Sequence, residues 1–239
     1  MGENDRTLGI IGGAGVGAAA ELYIDVCARF RAATATLPQI AIWNLPLSDE
    51  LERSFLGSGA DPAAVAQAEA LVAESVDRLA AAGATVIAMP CNALARVGAR
   101  ESERAGLPFV DMIAATVEAV AALGHDEATL LATATTYAAG NYDGHGVEMI
   151  EPAPQQRAEL AGLIARLGEG PQPTGAELLG LIERVRRPGT AVVIGCTDIC
   201  GLIDPGAAGA GGPVVDSLAC LAERCAQVLG APALLGDRG

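Results

Sequence analysis

The chain contains no lysine: all 15 of its basic residues are arginine, and its formal net charge is -14. Without lysine, neither Schiff-base chemistry nor a P-loop of the usual lysine-bearing kind is available. Nucleic-acid binding is disfavoured, because it requires a basic stripe that displaces counterions from phosphates. An acidic protein also repels anions at long range, so a carboxylate ligand would need a local arginine or oriented backbone amides.

Aromatic residues and long apolar runs are also scarce. Aromatic residues make up only 3% of the chain, so its core must be packed from alanine, valine, leucine and isoleucine. No apolar stretch approaches the ~20 residues of a membrane span, and the first residues do not form a signal segment. Six cysteines in this setting are typical of reduced thiols. We expect a cytoplasmic protein that does not associate with membranes.

Short β-branched runs alternate with helical patterns, which predicts an α/β protein built from βαβ units with parallel-rich sheets. The predicted strands are 7–11, 39–44, 85–89, 109–110, 128–132, 147–150, 191–194 and 214–215. The predicted helices are 18–33, one that Asp61 caps, 94–104, 113–123, 155–167, 176–187 and 217–229. We expect two similar lobes with the active site between them: 1–112 together with 213–239, and 113–212.

Two of these strands end in a cysteine. Residues 84–92 read ATVIAMPCN and residues 190–198 read TAVVIGCTD, so Cys91 and Cys196 both follow short apolar runs. Ligands of parallel α/β folds bind beyond the carboxyl ends of the strands. We therefore expect the two thiols to face each other across a cleft. One thiol would remove a proton from a carbon while the other supplies a proton to its opposite face.

The helix that follows each of these strands would bring its positive end near the thiol. We expect this to lower the thiol pKa from about 8.5 toward neutrality, which provides a base and an acid without a metal or cofactor. A metal site at Cys196 and Cys200 is disfavoured, since the only histidines, His125 and His145, are distant in sequence. The cysteines within helical patterns are expected only to pack: Cys27, Cys220 and Cys225.

A glycine-rich turn follows the first strand. Residues 13–18 fit G-x-G-x-x-A, but the second strand ends without the acidic residue that would complete a dinucleotide fingerprint. NAD and FAD are therefore disfavoured. The preferred interpretation is a tight turn at Gly13 whose amides, with the following helix N-terminus, bind a carboxylate. A turn required only for packing is the alternative.

Three segments together resemble the aspartate/glutamate racemase superfamily, and most of all its aspartate racemases. They are LGIIGGAG (8–15), MPCN (89–92) and IGCTD (194–198). Similarity in LLATATT (130–136) and VDMI (110–113) extends the resemblance over nearly the whole chain. The resemblance implies a PLP-independent isomerase without cofactors that acts on a small amino acid or other carboxylate, commonly as a homodimer.

The resemblance also assigns roles to residues. It makes Cys91 and Cys196 the two bases that exchange the Cα proton, and Arg53, in a predicted loop at 47–54, the ligand of a distal carboxylate. A solvated surface role for Arg53 is the alternative. The other residues that would contact the substrate are Asn92, Thr197, Thr133, Thr136, Gly13 and Asp198.

Several functions stay open at this stage. The first is racemisation or epimerisation of an acidic amino acid or a relative. A maleate-type cis/trans isomerase or a hydantoin racemase on the same scaffold is the second, and a non-catalytic carboxylate-binding homologue is the third. Ala93 and Ala95 stand where the family usually has threonine and histidine, which favours a changed substrate or a silent site. The retention of both cysteines favours catalysis.

Overall fold

The computed structural model describes residues 6–56, 61–168, 174–203 and 211–232. The strands in these ranges are β1 (Thr7–Gly12), β2 (Gln39–Asn44), β3 (Val86–Ala88), β4 (Phe109–Val110), β5 (Glu127–Ala132), β6 (Glu148–Ile150), β7 (Ala191–Gly195) and β8 (Val214–Asp216). The helices are α1 (Val16–Thr34), α2 (Asp49–Leu56), α3 (Pro62–Ala81), α4 (Ala95–Arg104), α5 (Met112–Ala122), α6 (Ala134–Ala138), α7 (Pro154–Gly168), α8 (Gly175–Val185) and α9 (Ser217–Val228).

The strands form two four-stranded sheets, one in each half of the chain, and every strand pairing is parallel. The strand orders are β2-β1-β3-β4 and β6-β5-β7-β8. Counted from the start of each half, these orders are identical, so the chain builds one unit twice. The predicted α/β fold with two similar lobes is confirmed, and β3 and β7 occupy equivalent places in the two sheets.

Helices cover the sheets, and this explains the sequences of the inner strands. Both β3 and β7 are buried along their whole length, and both are continuous apolar runs rather than alternating ones. The cap predicted at Asp61 is confirmed, since its side chain accepts a hydrogen bond from the Ala63 amide at 3.0 Å. The carboxyl ends of β3 and β7, where the two cysteines follow, are thus fixed by a rigid core.

Helix α9 connects the two lobes. It packs against α1 and α5, and one apolar cluster includes Leu22 of α1, Val117 of α5 and Leu221 of α9. Strand β8, however, pairs with β7 and is therefore the edge strand of the second sheet. The predicted boundary after residue 212 would separate β8 from the sheet to which it hydrogen-bonds. The second sheet extends through 214–216, and the chain returns toward the first lobe with α9.

The loop predicted at 47–54 is wrong, because most of this segment belongs to helix α2. The hydroxyl of Ser48 accepts a hydrogen bond from the Leu51 amide at 3.1 Å, as a capping residue does. Leu51 and Phe55 are buried one helical turn apart. The capping serine and the spacing of the two apolar residues are present in the sequence. The helix is only two turns long, so this spacing is the only periodic signal it provides.

None of the helices in the described ranges is both long and apolar enough to span a membrane.

The close packing of β1 onto its neighbours gives a testable prediction for Gly9. A Cβ at this position would lie 2.8 Å from Cδ1 of Ile87 and 2.9 Å from Cβ of Ala84. We expect Gly9→Ala to lower the free energy of unfolding by about 1–3 kcal/mol, because the core is overpacked. Urea denaturation followed by circular dichroism measures this change.

Gly162→Ala is the matched control for Gly9→Ala. Gly162 lies on the exposed side of α7, and an added Cβ meets nothing within 4 Å. This variant should be as stable as the wild type or more stable by up to about 1 kcal/mol, since alanine is the better helix former. Equal stability of the two variants would contradict the described packing at β1.

Candidate active site

A small cavity lies where the carboxyl ends of the two sheets meet. It lies at the carboxyl ends of β1, β3, β5 and β7. By strand order, β1 is equivalent to β5 and β3 is equivalent to β7. Its volume is about 20 Å³, enough for about one water molecule. The residues that line it are Ala14, Gly15, Glu52, Cys91, Asn92, Ala93, Thr133, Thr136, Gly195, Cys196, Thr197 and Asp198.

The structure brings the two predicted cysteines into this one cavity. Cys91 follows β3, Cys196 follows β7, and they are only 7% and 5% exposed. Both are free thiols. Backbone amides approach each sulfur: those of Leu94 and Ala93 at Cys91, and those that follow Cys196 in its own turn. The doubled fold therefore brings both thiols to the wall of the same cavity.

The expectation that the helix termini lower the thiol pKa values is wrong for the closed site. Burial raises the pKa of Cys91 to about 12, and it raises the pKa of Cys196 still further. The nearby carboxylate of Asp198 adds to both increases, while the backbone amides only partly offset them. Residues 197–203 after Cys196 form turns rather than the expected helix, and α4 follows Cys91 only from Ala95. Desolvation of the thiolate is thus stronger than the amides near each sulfur, and both sulfurs rest as neutral thiols.

The side chain of Asn92 joins the two lobes. Its Oδ1 accepts a hydrogen bond from the Tyr142 hydroxyl at 2.6 Å, and its Nδ2 donates to the Ser217 hydroxyl at 3.1 Å. The Asn92 carbonyl accepts a further bond from Nδ2 of Asn141 at 2.6 Å. All four residues are buried. Both ends of the Asn92 amide are engaged, so this residue fixes the turn that carries Cys91.

The predicted threonines lie on the second-lobe side of the cavity. The hydroxyl of Thr197 donates to the Pro90 carbonyl at 3.0 Å, immediately before Cys91. The hydroxyls of Thr133 and Thr136 lie 3.0 Å apart, and Thr133 also caps the short helix α6. Thr197 uses its hydroxyl hydrogen in the bond to Pro90, whereas the pair of Thr133 and Thr136 has one hydroxyl hydrogen left after its internal bond and can donate it to a ligand carboxylate.

Two carboxylates complete the wall. Oδ2 of Asp198 lies 3.9 Å from Sγ of Cys196, a distance at which the thiol donates a weak hydrogen bond. Oε1 of Glu52, on α2, accepts a hydrogen bond from the Gly15 amide at 3.0 Å. Burial raises the pKa of both carboxyl groups, and the charge of Asp198 raises that of Glu52 further.

Two predicted residues do not line the cavity. A Cβ on Gly13, whose φ is 95°, would lie 2.6 Å from the Leu45 carbonyl oxygen, so this glycine serves the close approach of two backbones. Arg53 lies on α2 and is exposed. Its side chain emerges roughly opposite the buried face of Leu51, whereas Glu52 lies beside that face. Their roles in binding remain predictions.

Sequence reasoning missed Glu52, Asn141, Tyr142 and Ser217. The helical spacing of Leu51 and Phe55 is a signal that could have placed Glu52 near the site. The other three join the site only through contacts between distant segments, with no local motif. Within the described ranges, no cluster of three or more histidine, cysteine or acidic side chains could hold a metal ion.

The raised pKa of Glu52 makes a prediction about stability. A carboxyl group whose pKa is higher in the folded state than its ordinary value of 4.5 stabilises the fold fully below that value. This stabilisation is lost as the pH rises through the folded pKa. We expect Glu52→Gln to have a higher Tm than the wild type at pH 7 and an equal Tm near pH 4, because glutamine keeps an acceptor for the Gly15 amide.

Differential scanning calorimetry at a series of pH values measures this difference. Glu50→Gln is the control, since Glu50 is exposed on the same helix. A lower Tm for Glu52→Gln than for Glu50→Gln at pH 7 would contradict a destabilising charge at Glu52.

Comparison with known proteins assigns the fold to a family. A candidate Asp/Glu racemase from Yersinia pestis has a similar structure, with a TM-score of 0.77 and 23% identity over 94% of this chain and 99% of that one. An aspartate racemase homologue from Pyrococcus horikoshii has a TM-score of 0.73 and 22% identity over 94% of this chain and 99% of that one. The aspartate racemase of Picrophilus torridus has a TM-score of 0.70 and 20% identity over 96% of each chain.

At these identities the structures show that the fold is shared. The sequence model of a family described as Asp/Glu/Hydantoin racemase also matches residues 11–225 of this chain. That match includes both cysteine turns, the whole second sheet and the first sheet apart from the start of β1. With its doubled parallel fold, two buried thiols in one cavity and this match over most of its length, the chain belongs to the Asp/Glu/hydantoin racemase family.

Proposed function

We propose that this protein is a cofactor-independent racemase or epimerase that moves the Cα proton of an amino acid between Cys91 and Cys196. One observation carries the proposal: the two thiols follow equivalent strands of the two sheets and line the same buried cavity. Such a pair can act on opposite faces of one carbon, as inversion of that carbon requires. Membership of a racemase family supports the same reaction.

In the proposed reaction, a thiolate on one side takes the Cα proton and becomes a thiol, which leaves a carbanion at Cα. The thiol on the other side then donates its proton to the opposite face and becomes the thiolate. No atoms are gained or lost, and the two sulfurs have exchanged protonation states. The reverse direction uses the same two groups in the opposite roles, so both enantiomers are substrates.

The cavity must open before this chemistry begins. Its volume of about 20 Å³ is smaller than an amino acid, so the walls of the cavity must move to admit one. Opening also brings water to the sulfurs and relieves the desolvation that raises their pKa values. Asp198, 3.9 Å from Sγ of Cys196, is placed to accept that thiol's proton. Closure around the substrate then excludes water, which strengthens every electrostatic contact with the carbanion.

The carboxylate of the substrate would meet the polar groups of the wall. The hydroxyl pair of Thr133 and Thr136 and the amides of the turn after Cys91 are the donors available there. Neutralising the carboxylate is essential, because an amino-acid Cα–H is barely acidic and the carbanion shares its charge with that group. The homodimer and the cytoplasmic location remain predictions, of which light scattering in solution tests the first.

Serine replacement of each cysteine tests the pair. We expect Cys91→Ser and Cys196→Ser each to lose racemisation by at least about 100-fold, because a serine hydroxyl is too weak an acid or base to replace the thiol. Chiral chromatography after incubation with L- and D-amino acids measures the rate. Cys27→Ser, at a half-buried position on α1 outside the cavity, should retain the wild-type rate.

Either serine variant racemising at the wild-type rate would contradict the proposal. A folded wild-type protein that racemises no amino acid would overturn it as well. In that case maleate-like dicarboxylates and hydantoins are the next substrates to assay. Binding of carboxylates without turnover would instead indicate a non-catalytic homologue.

A further inference from the structure

The charge of the cavity wall differs from what a dicarboxylic substrate requires. Among the described residues that line it, Glu52 and Asp198 are the charged ones, and both are acidic. Arg53, which the family resemblance assigns to a distal carboxylate, is exposed on α2 and lies outside the lining. A second substrate carboxylate would therefore enter a low-dielectric space that already contains two negative groups.

The two acids meet at Gly15. Oε1 of Glu52 is 3.0 Å from the Gly15 amide nitrogen. A Cβ built on Gly15 would lie 2.4 Å from Oδ1 of Asp198, so that carboxylate packs directly on the glycine. Burial raises the pKa of Glu52 and the charge of Asp198 raises it further, while the hydrogen bond from Gly15 partly offsets both.

In the glycine turn, the Gly15 amide is not available to an anionic ligand. The sequence predicts that amides of this turn bind a substrate carboxylate, but in the structure the chain's own Glu52 accepts the Gly15 N–H. The donors that remain for a substrate lie on the other side of the cavity, at the hydroxyl pair of Thr133 and Thr136 and at the turn after Cys91. The wall thus has one end suited to a carboxylate and one end suited to a cation.

We propose that the substrate is an amino acid with a single carboxylate, and that Glu52 is the residue that excludes a second one. This inference rests on the proposed racemase function and specifies its substrate class. The α-carboxylate faces the hydroxyl pair of Thr133 and Thr136, and the α-ammonium faces the acidic end at Glu52 and Asp198. Aspartate and glutamate would place their side-chain charge in this same confined space and are disfavoured.

Substrate selectivity tests the inference. The experiment measures kcat/KM of the full-length protein for D- and L-alanine, serine, aspartate and glutamate. We expect the wild type to prefer the monocarboxylic substrates by about tenfold or more, as repulsion between close charges in a partly buried site predicts. In Glu52→Gln, the ratio of kcat/KM for aspartate to that for alanine should rise by about tenfold.

A ratio is used because a merely structural defect would lower turnover of both substrates together. Glutamine keeps an acceptor for the Gly15 amide, and Glu50→Gln on the exposed part of α2 should leave the ratio at its wild-type value. Wild-type preference for aspartate or glutamate, or an unchanged ratio in Glu52→Gln, would overturn this inference while the racemase function stands. Absence of turnover with all four amino acids would overturn the racemase function for these substrates and this inference with it.

Discussion

Desolvation of two thiols between the lobes is the constraint on which the site depends. The doubled fold places Cys91 and Cys196 at equivalent strand ends, and closure of the lobes leaves room for little more than a water molecule between them. In that space the thiolate form is penalised, and the pKa of Cys91 rises to about 12. The same dry space would strengthen contacts to a carbanion once a substrate fills it. Burial of the site thus keeps both thiols protonated when the cavity is empty and stabilises the carbanion when a substrate is bound.

Polar contacts between the lobes fix the geometry of this space. Asn92 bonds to Tyr142 and Ser217, and Thr197 bonds to the carbonyl of Pro90. Each of these contacts joins a turn that carries a cysteine to the opposite half of the chain or to α9. Because they are buried and mutually satisfied, the two turns cannot shift separately without leaving polar groups unpaired.

The sequence contains most of what forms the fold, because strand and helix periodicity is local. The two strand–cysteine segments could be recognised from their β-branched runs, and their equivalence in the two sheets follows from the repeated strand order. The thiol pKa values could not be predicted, since helix ends are local features while burial depends on how the lobes close. Glu52 is absent from the predicted site because the sequence predicts a loop where α2 forms, and the partners of Asn92 lie about 50 and 125 residues away.

Enantiomer-specific exchange of the Cα proton tests the central claim most directly. Proton NMR in deuterated buffer follows loss of the Cα–H signal from each enantiomer, with Cys91→Ser and Cys196→Ser compared side by side. Each variant should still exchange one enantiomer, and the two variants should retain opposite ones, because each remaining thiol faces a single side of Cα. Exchange of the same enantiomer by both variants, or of both enantiomers by either, would contradict a pair of bases on opposite faces.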